Sequence, residues 1–158
     1  MKTLIVYKSR YGSTQKYAEW LQEDLKNSDI TESEGFESKD LNQYDWIVFG
    51  SSIYTGKFDI LRLMLKNLGK LKSKKIYLFV VGSEPPENVA SKLEYEQLPS
   101  EIKESLNGYL KVPGKIDLKK ISFIHKIMLK MVGKAKNEDK MDRNALKPII
   151  ETIKKVEI

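Results

Sequence analysis

The chain contains no cysteine and a single histidine, His125. Without thiols there is no disulfide, no zinc–thiolate site, no iron–sulfur cluster and no thiol nucleophile, and one imidazole excludes a histidine-rich metal site. Long apolar runs are missing as well. The first such run, Leu4 to Tyr7, is closed by charged residues, so neither a signal-peptide core nor a membrane-spanning helix is expected, and the cytoplasm is the expected location. An acidic excess is also absent, since 28 Lys and Arg face 22 Asp and Glu.

What is present is a chain of 158 residues with 41% hydrophobic and 32% charged side chains. That size predicts one globular domain over residues 1–158. The net charge of +6 belongs to one segment. Lys111 to Lys136 contains eight lysines and one acid, Asp117, giving +7 and leaving −1 for the rest of the chain. A charged partner would therefore meet that segment.

Short apolar runs alternate with helix-length amphipathic stretches. Leu4–Tyr7, Trp46–Phe49 and Ile76–Val81 are rich in β-branched and aromatic residues and predict strands buried on both faces. A weaker strand is expected around Thr31 to Glu37, and a fifth near Gly108 to Val112. Helical spacing appears over Ser13–Asn27, with a Ser/Thr pair as N-cap, and over Asp59–Leu68, Ser100–Asn107 and Asp142–Lys155. Pro148 predicts a kink or a later start for the last helix. Gly82 to Pro99 reads as irregular, and the basic stretch at about 113–136 as an insertion before the terminal helix. Alternating strands and helices give an α/β three-layer sandwich: a five-stranded parallel sheet, ordered 2-1-3-4-5, with helices on both faces. Ligands on such a sheet sit at the carboxyl ends of the strands where the order reverses, so the loops after strands 1, 3 and 4 carry the candidate site.

The first loop is Ser9, Arg10, Tyr11, Gly12, Ser13 and Thr14, running directly into a helix. Hydroxyls and a glycine at a helix N-terminus can wrap a phosphate in N–H and O–H donors, with Arg10 or Lys8 adding charge. A plain strand-to-helix turn with a serine cap is the alternative. Gly50–Lys57 and Gly108–Lys115 each have five residues between their glycines where a nucleotide P-loop needs four, and no G-x-G-x-x-G occurs. The second loop, Gly50 with Ser51, Ser52, Ile53, Tyr54, Thr55 and Gly56, suits a flat ring set against Tyr54, and equally a flexible loop with a half-buried tyrosine. The third begins at Gly82 and Ser83 and would offer backbone groups to a ring edge. A phospho-receiver needs acidic residues after strand 1 and an Asp after strand 3, where this chain has Lys8-Ser9 and Gly50-Ser51.

Together the three loops, Ser9-x-x-Gly12-x-Thr14, Gly50-Ser51-Ser52-Ile53-Tyr54-x-Gly56 and Gly82-Ser83, resemble those of flavodoxin-like FMN proteins, and the likeness covers essentially the whole chain. Arg10, the Ser52-Ile53 and Gly56 pattern, and the stretch Phe123 to Met131 are more specifically similar to the flavodoxin-domain family related to bacterial menaquinone-dependent protoporphyrinogen oxidase. The resemblance implies that Ser9 to Thr14 hold the FMN phosphate and that Ser51 to Gly56 and the loop from Gly82 flank the isoalloxazine. It implies an FMN-dependent oxidoreductase using a porphyrinogen-type substrate and a quinone acceptor. The alternative is an electron carrier between redox partner proteins. Neither role requires a protein acid–base catalyst or a metal.

Within the basic segment, Leu118, Ile121, Ile124, Ile127, Met128 and Met131 form one helical stripe, with Lys119, Lys120, Lys126 and Lys130 mostly outside it. Residues 118–134 are thus a candidate for peripheral contact with an anionic membrane, at the inner face for a cytoplasmic protein, or with an acidic redox partner. Packing of the stripe on the sheet is the competing expectation. Phe123 and Leu129 lie off the stripe and are expected at the surface, and His125 is expected to be a surface or packing residue rather than a catalyst. No nucleic-acid reader motif is present. Trp20 and Trp46 are expected in the core.

Overall fold

The computed structural model describes residues 1–54 and 56–157. Five strands form the parallel core: β1 (Thr3–Lys8), β2 (Ser28–Glu32), β3 (Trp46–Tyr54), β5 (Lys75–Gly82) and β6 (Gly108–Pro113). β4 (Lys57–Phe58) folds back antiparallel on the end of β3. The order β2-β1-β3-β5-β6 is the expected 2-1-3-4-5 when only the parallel strands are counted. Helices α1 (Ser13–Asp24), α2 (Leu61–Lys66), α3 (Leu68–Leu71), α4 (Val89–Glu96), α5 (Ser100–Ser105), α6 (Phe123–Met131) and α7 (Lys147–Lys155) complete the layers.

Pleat alternation divides the strand residues between two cores. Leu4, Val6, Ile47, Phe49, Leu78 and Val80 face Ile60, Met64, Leu71 and Ile102 on one side. Ile5, Trp46, Val48, Tyr77, Phe79 and Val81 face Tyr17, Leu21, Ile149 and Ile153 of α1 and α7 on the other. Both tryptophans fall where core packing places them: Trp46 is buried, and Trp20 lies edge-on to Tyr17 at 5.4 Å.

Several boundaries differ from expectation. The second strand is Ser28–Glu32, and residues 33–38 form a 3-10 turn that turns Phe36 into the core. The third strand continues past Phe49 to Tyr54, so the start of the expected second loop is sheet. Gly50 there makes room rather than a turn, because a Cβ on it would lie 2.3 Å from the Phe79 ring. Residues 89–96, expected to be irregular, are α4; Val89 and Leu93 are exposed and Ser91 is its buried residue, so it carries no apolar stripe for the sequence to display. The last helix starts late, with Pro148 in its first turn, after a 3-10 turn at Arg143–Leu146.

The stretch from Gly114 to Met141 leaves the end of β6 and returns to α7. It contains α6 and a two-stranded ribbon of β7 (Lys115–Ile116) and β8 (Glu138–Asp139). Its two ends are pinned by one residue of α1. The buried Tyr17 hydroxyl donates to the Pro113 carbonyl at 2.6 Å and accepts from the Asp142 N–H at 3.0 Å.

Candidate functional site

The strand order reverses between β1 and β3, since β2 extends the parallel sheet to one side of β1 and β5 to the other side of β3. The loop after β1 enters α1 through Gly12, which adopts a left-handed conformation (φ 95°) as the N-cap residue. No side chain caps α1 and its first turn has no acid. The expected Ser/Thr cap is absent because Gly12 takes the cap position and Ser13 and Thr14 fall inside the first turn. Thr14 is buried and its Oγ1 meets Ser52 Oγ at 2.6 Å, which ties the first loop to the end of β3. Ser9 Oγ accepts from the Gly12 N–H at 3.1 Å. The first-turn N–H groups are therefore left to solvent or to an anion.

The two cations near this loop already have partners. Lys8 pairs with Glu34, and Arg10 forms a two-point hydrogen-bonded pair with Asp59 at 2.9 and 3.3 Å. Those bonds to Asp59 hold the guanidinium above its usual pKa. Arg10 also lies over the Tyr54 ring, 4.3 Å from its centroid.

Seven of the expected residues, Arg10, Tyr11, Ser13, Ser52, Ile53, Gly82 and Ser83, line one cleft of about 100 Å³. Tyr54 and Gly56 line an adjoining hollow that shares Ile53, Gly82 and Ser83. Ser9 and Gly12 open on a separate groove edged by Glu32 and Glu34. Thr14 and Ser51 are buried beneath the loops, where Ser51 Oγ accepts from the Ile60 N–H at 3.1 Å. Thr55 lies outside the described residues.

The remaining cleft wall comes from the insertion: Gly114, Lys115, Ile116, Ile121, His125 and Leu129. Leu129 was expected at the surface but is only 8% exposed, because α6 turns it toward the loops. His125 packs, one of the two placements expected of it, with Tyr54 edge-on at 4.7 Å and Tyr11 at 5.4 Å between ring centroids. Its Nδ1 lies 3.1 Å from Tyr11 Oη, and the same oxygen accepts from the Ser122 N–H at 3.4 Å. The phenol hydrogen can go to Nδ1 when the ring carries its own proton on Nε2. Burial, and then the Arg10 charge, push the His125 pKa below its ordinary value. The Tyr54 hydroxyl points to Met128 Sδ at 3.8 Å.

The sequence did not disclose that Asp59 would hold Arg10, nor that Ile116, Ile121 and Leu129 would wall the cleft. The i, i+4 pair His125 and Leu129 was its one available signal, masked by the stronger apolar stripe on the other side of α6. Below the third loop, the Lys111 side chain is 4% exposed and pairs with Glu94. Its Nζ fills the space above Gly82, where a Cβ would lie 2.9 Å from it.

Known proteins are similar to this chain. An uncharacterized protein of Methanocaldococcus jannaschii is 35% identical over 88 residues, and the match spans 54% of this chain and 57% of the relative. A flavodoxin from the domain Archaea superposes with a TM-score of 0.52 at 18% identity, over 85% of this chain and 96% of that one. A flavoprotein from Lactobacillus acidophilus NCFM, solved in complex with FMN, superposes with a TM-score of 0.50 at 22% identity, over 70% and 92%. At these identities the solved structures speak for the fold alone. The flavodoxin domain family matches residues 4–143, nearly the whole sheet and all three loops, and the chain belongs to that family.

Proposed function

We propose that the protein binds FMN and works as an FMN-dependent oxidoreductase on a flat, largely apolar small molecule, with a quinone-type acceptor. The observation that carries this reading is the convergence of an uncapped α1 N-terminus and a cleft walled by the loops after β1, β3 and β5 at the reversal of the strand order.

The residues fit the cofactor. The space beside Gly12 is open, since a Cβ there would meet nothing within 4 Å. The Ser9 Oγ already accepts from Gly12, so its O–H is free to donate to a phosphate oxygen. With Lys8 and Arg10 committed to carboxylates, the α1 N–H groups and dipole, rather than a free cation, neutralise the phosphate. Ser52 and Ile53 on one side and Gly82 and Ser83 on the other would bracket the ring, and Ile116, Ile121 and Leu129 would exclude water from it. FMN, when bound, supplies the transfer of electrons and hydride; the chain supplies position, polarity and dryness.

An enzyme is favoured over a carrier by the wall that the chain builds over its own cleft. His125 and Leu129 of α6 stand where a protein partner would otherwise approach the ring directly. The likeness to the family of menaquinone-dependent protoporphyrinogen oxidase supports the same choice and names the substrate class to assay.

The test is a visible absorption spectrum of the purified protein, then an FMN titration of any empty fraction. Flavin bands and one-to-one binding are expected, followed by reduction of a soluble quinone analogue with a porphyrinogen-type donor. Absence of both bands and binding would overturn the FMN reading. Binding without turnover, together with electron transfer to a protein acceptor, would replace the enzyme by a carrier.

A further inference from the structure

Helix α6 is apolar on two faces, and the protein covers only one of them. At about 100° per residue, His125 and Leu129 share the face turned to the cleft, while Phe123, Ile124, Ile127 and Met131 fall together on the opposite arc. Phe123 is 77% exposed, Ile124 67% and Met131 81%, and Ile127 and the following Val132 are exposed too. Such a helix is ordinarily buried all round. Of the stripe expected from the sequence, Ile121 is buried, whereas Ile124, Ile127 and Met131 are uncovered rather than packed on the sheet.

The helix is nevertheless firmly mounted. Ser122 Oγ accepts from the His125 N–H at 3.2 Å at its start. Gly133, at φ 72°, closes its end, with the Lys134 N–H donating to the Leu129 carbonyl at 2.8 Å. Lys134 pairs with Glu84 at the third loop. The apolar face is thus presented on a fixed ridge.

Lysines border that ridge. Lys126 and Lys130 follow one edge of the arc, Lys119 and Lys120 precede the helix and Lys136 follows it. Among the described residues none of these five makes an ion pair. No acidic residue occurs from Leu118 to Asn137. A second copy of the chain is a poor cover, because pairing α6 with itself would bring Lys126 and Lys130 of both copies together. No helix among the described residues is long and apolar enough to cross a membrane.

We propose that α6 docks the protein on the surface of an anionic lipid bilayer, with Phe123, Ile127 and Met131 entering the acyl boundary and the unpaired lysines meeting the headgroups. A protruding apolar ridge flanked by cations, with no acid within α6 itself, has the charge and shape complementary to such a surface. Because the same helix walls the cleft with His125 and Leu129, docking sets the cleft at the lipid interface, within reach of a lipid-dissolved reactant. The docking does not depend on FMN binding, so the two fail separately.

The test is co-sedimentation of the full chain with vesicles of phosphatidylcholine alone and of phosphatidylcholine with 30% phosphatidylglycerol, with the FMN titration run on the same samples. Binding to the anionic vesicles is expected, at least about tenfold above neutral ones, weakening as salt rises. Phe123→Ser with Met131→Ser should lose that binding by about tenfold or more while keeping FMN affinity and thermal stability, since both side chains are exposed. Lys126→Glu with Lys130→Glu should lose it as well. Equal binding to neutral vesicles, no binding to either, or full binding by the serine variant would overturn the proposal. In the second case, capture of an acidic protein by α6 would assign the ridge to a protein partner instead.

Discussion

Gly12 and His125 work at the same end of the sheet by different physics. Gly12 sits at φ 95° with open space where a Cβ would point, at the start of a helix with no side-chain cap. Gly12→Asp would put a carboxylate into that space, about 4 Å from a bound phosphate, where like charges repel by about 4 kcal/mol in a partly screened site. FMN affinity should fall by about a thousandfold in a fluorescence titration; unchanged affinity would remove the phosphate from this loop. His125 packs between Tyr11, Tyr54 and Arg10, itself paired to Asp59, and burial with the Arg10 charge lowers its pKa. Its folded pKa lies below the unfolded value, so the unfolded form binds more protons between the two. The contribution of His125 is therefore complete above about pH 6.5 and is lost as pH falls toward the folded value. Amide exchange across 123–131 should accelerate on acidification through that window, and His125→Phe should flatten the dependence. A profile identical in the variant would show that some other group controls the seating of α6.

The insertion is held at its base by Tyr17, which bonds Pro113 and Asp142 at once. Tyr17→Phe keeps the ring packed but leaves a carbonyl and an N–H without their partner, at a cost of about 1–3 kcal/mol. Urea unfolding should report that loss, and limited proteolysis between Gly114 and Met141 should speed up. A variant as stable as the parent would mean that water replaces the phenol. Elements of this kind explain what was legible in the sequence. The strands Leu4–Tyr7 and Ile76–Val81 are buried on both faces, so their apolar runs state their place unaided. The three loops stand out as candidates because phosphate and ring binding call for glycines and hydroxyls at strand ends. By contrast, α4 buries little beyond Ser91, and α6 displays its stronger stripe outward, so periodicity missed one and reversed the other. Gly50 looked like part of a ring-binding loop, yet its requirement comes from Phe79 on the neighbouring strand, a contact fixed only by register. Arg10 with Asp59 and Thr14 with Ser52 are likewise products of tertiary geometry, 49 and 38 residues apart in the chain.

For the molecule as a whole, the site is assembled from pieces with little else in common: the end of β1, the end of β3, the end of β5 and an insertion that closes over them. A ligand touching all of them binds the folded chain and not the unfolded one, so it must raise global stability by mass action. FMN at about a hundred times its dissociation constant contributes about 2.7 kcal/mol, which for a domain of this size is about 5–10 °C in the unfolding midpoint. The rise should be matched by slower amide exchange in the loops after β1, β3 and β5 and in α6 together, because α6 touches the same cleft through His125 and Leu129. The exposed side of α7 lies away from the cleft and should gain only the global increment. Protection confined to the first loop would mean that a phosphate group binds there while the ring site stays open. A thermal shift with riboflavin equal to that with FMN would instead place the affinity in the ring pocket and leave the α1 terminus without its anion. Only joint protection, lost in Gly12→Asp, identifies one ligand spanning phosphate loop, ring loops and insertion, and so makes the flavin the element that couples the basic helix to the sheet.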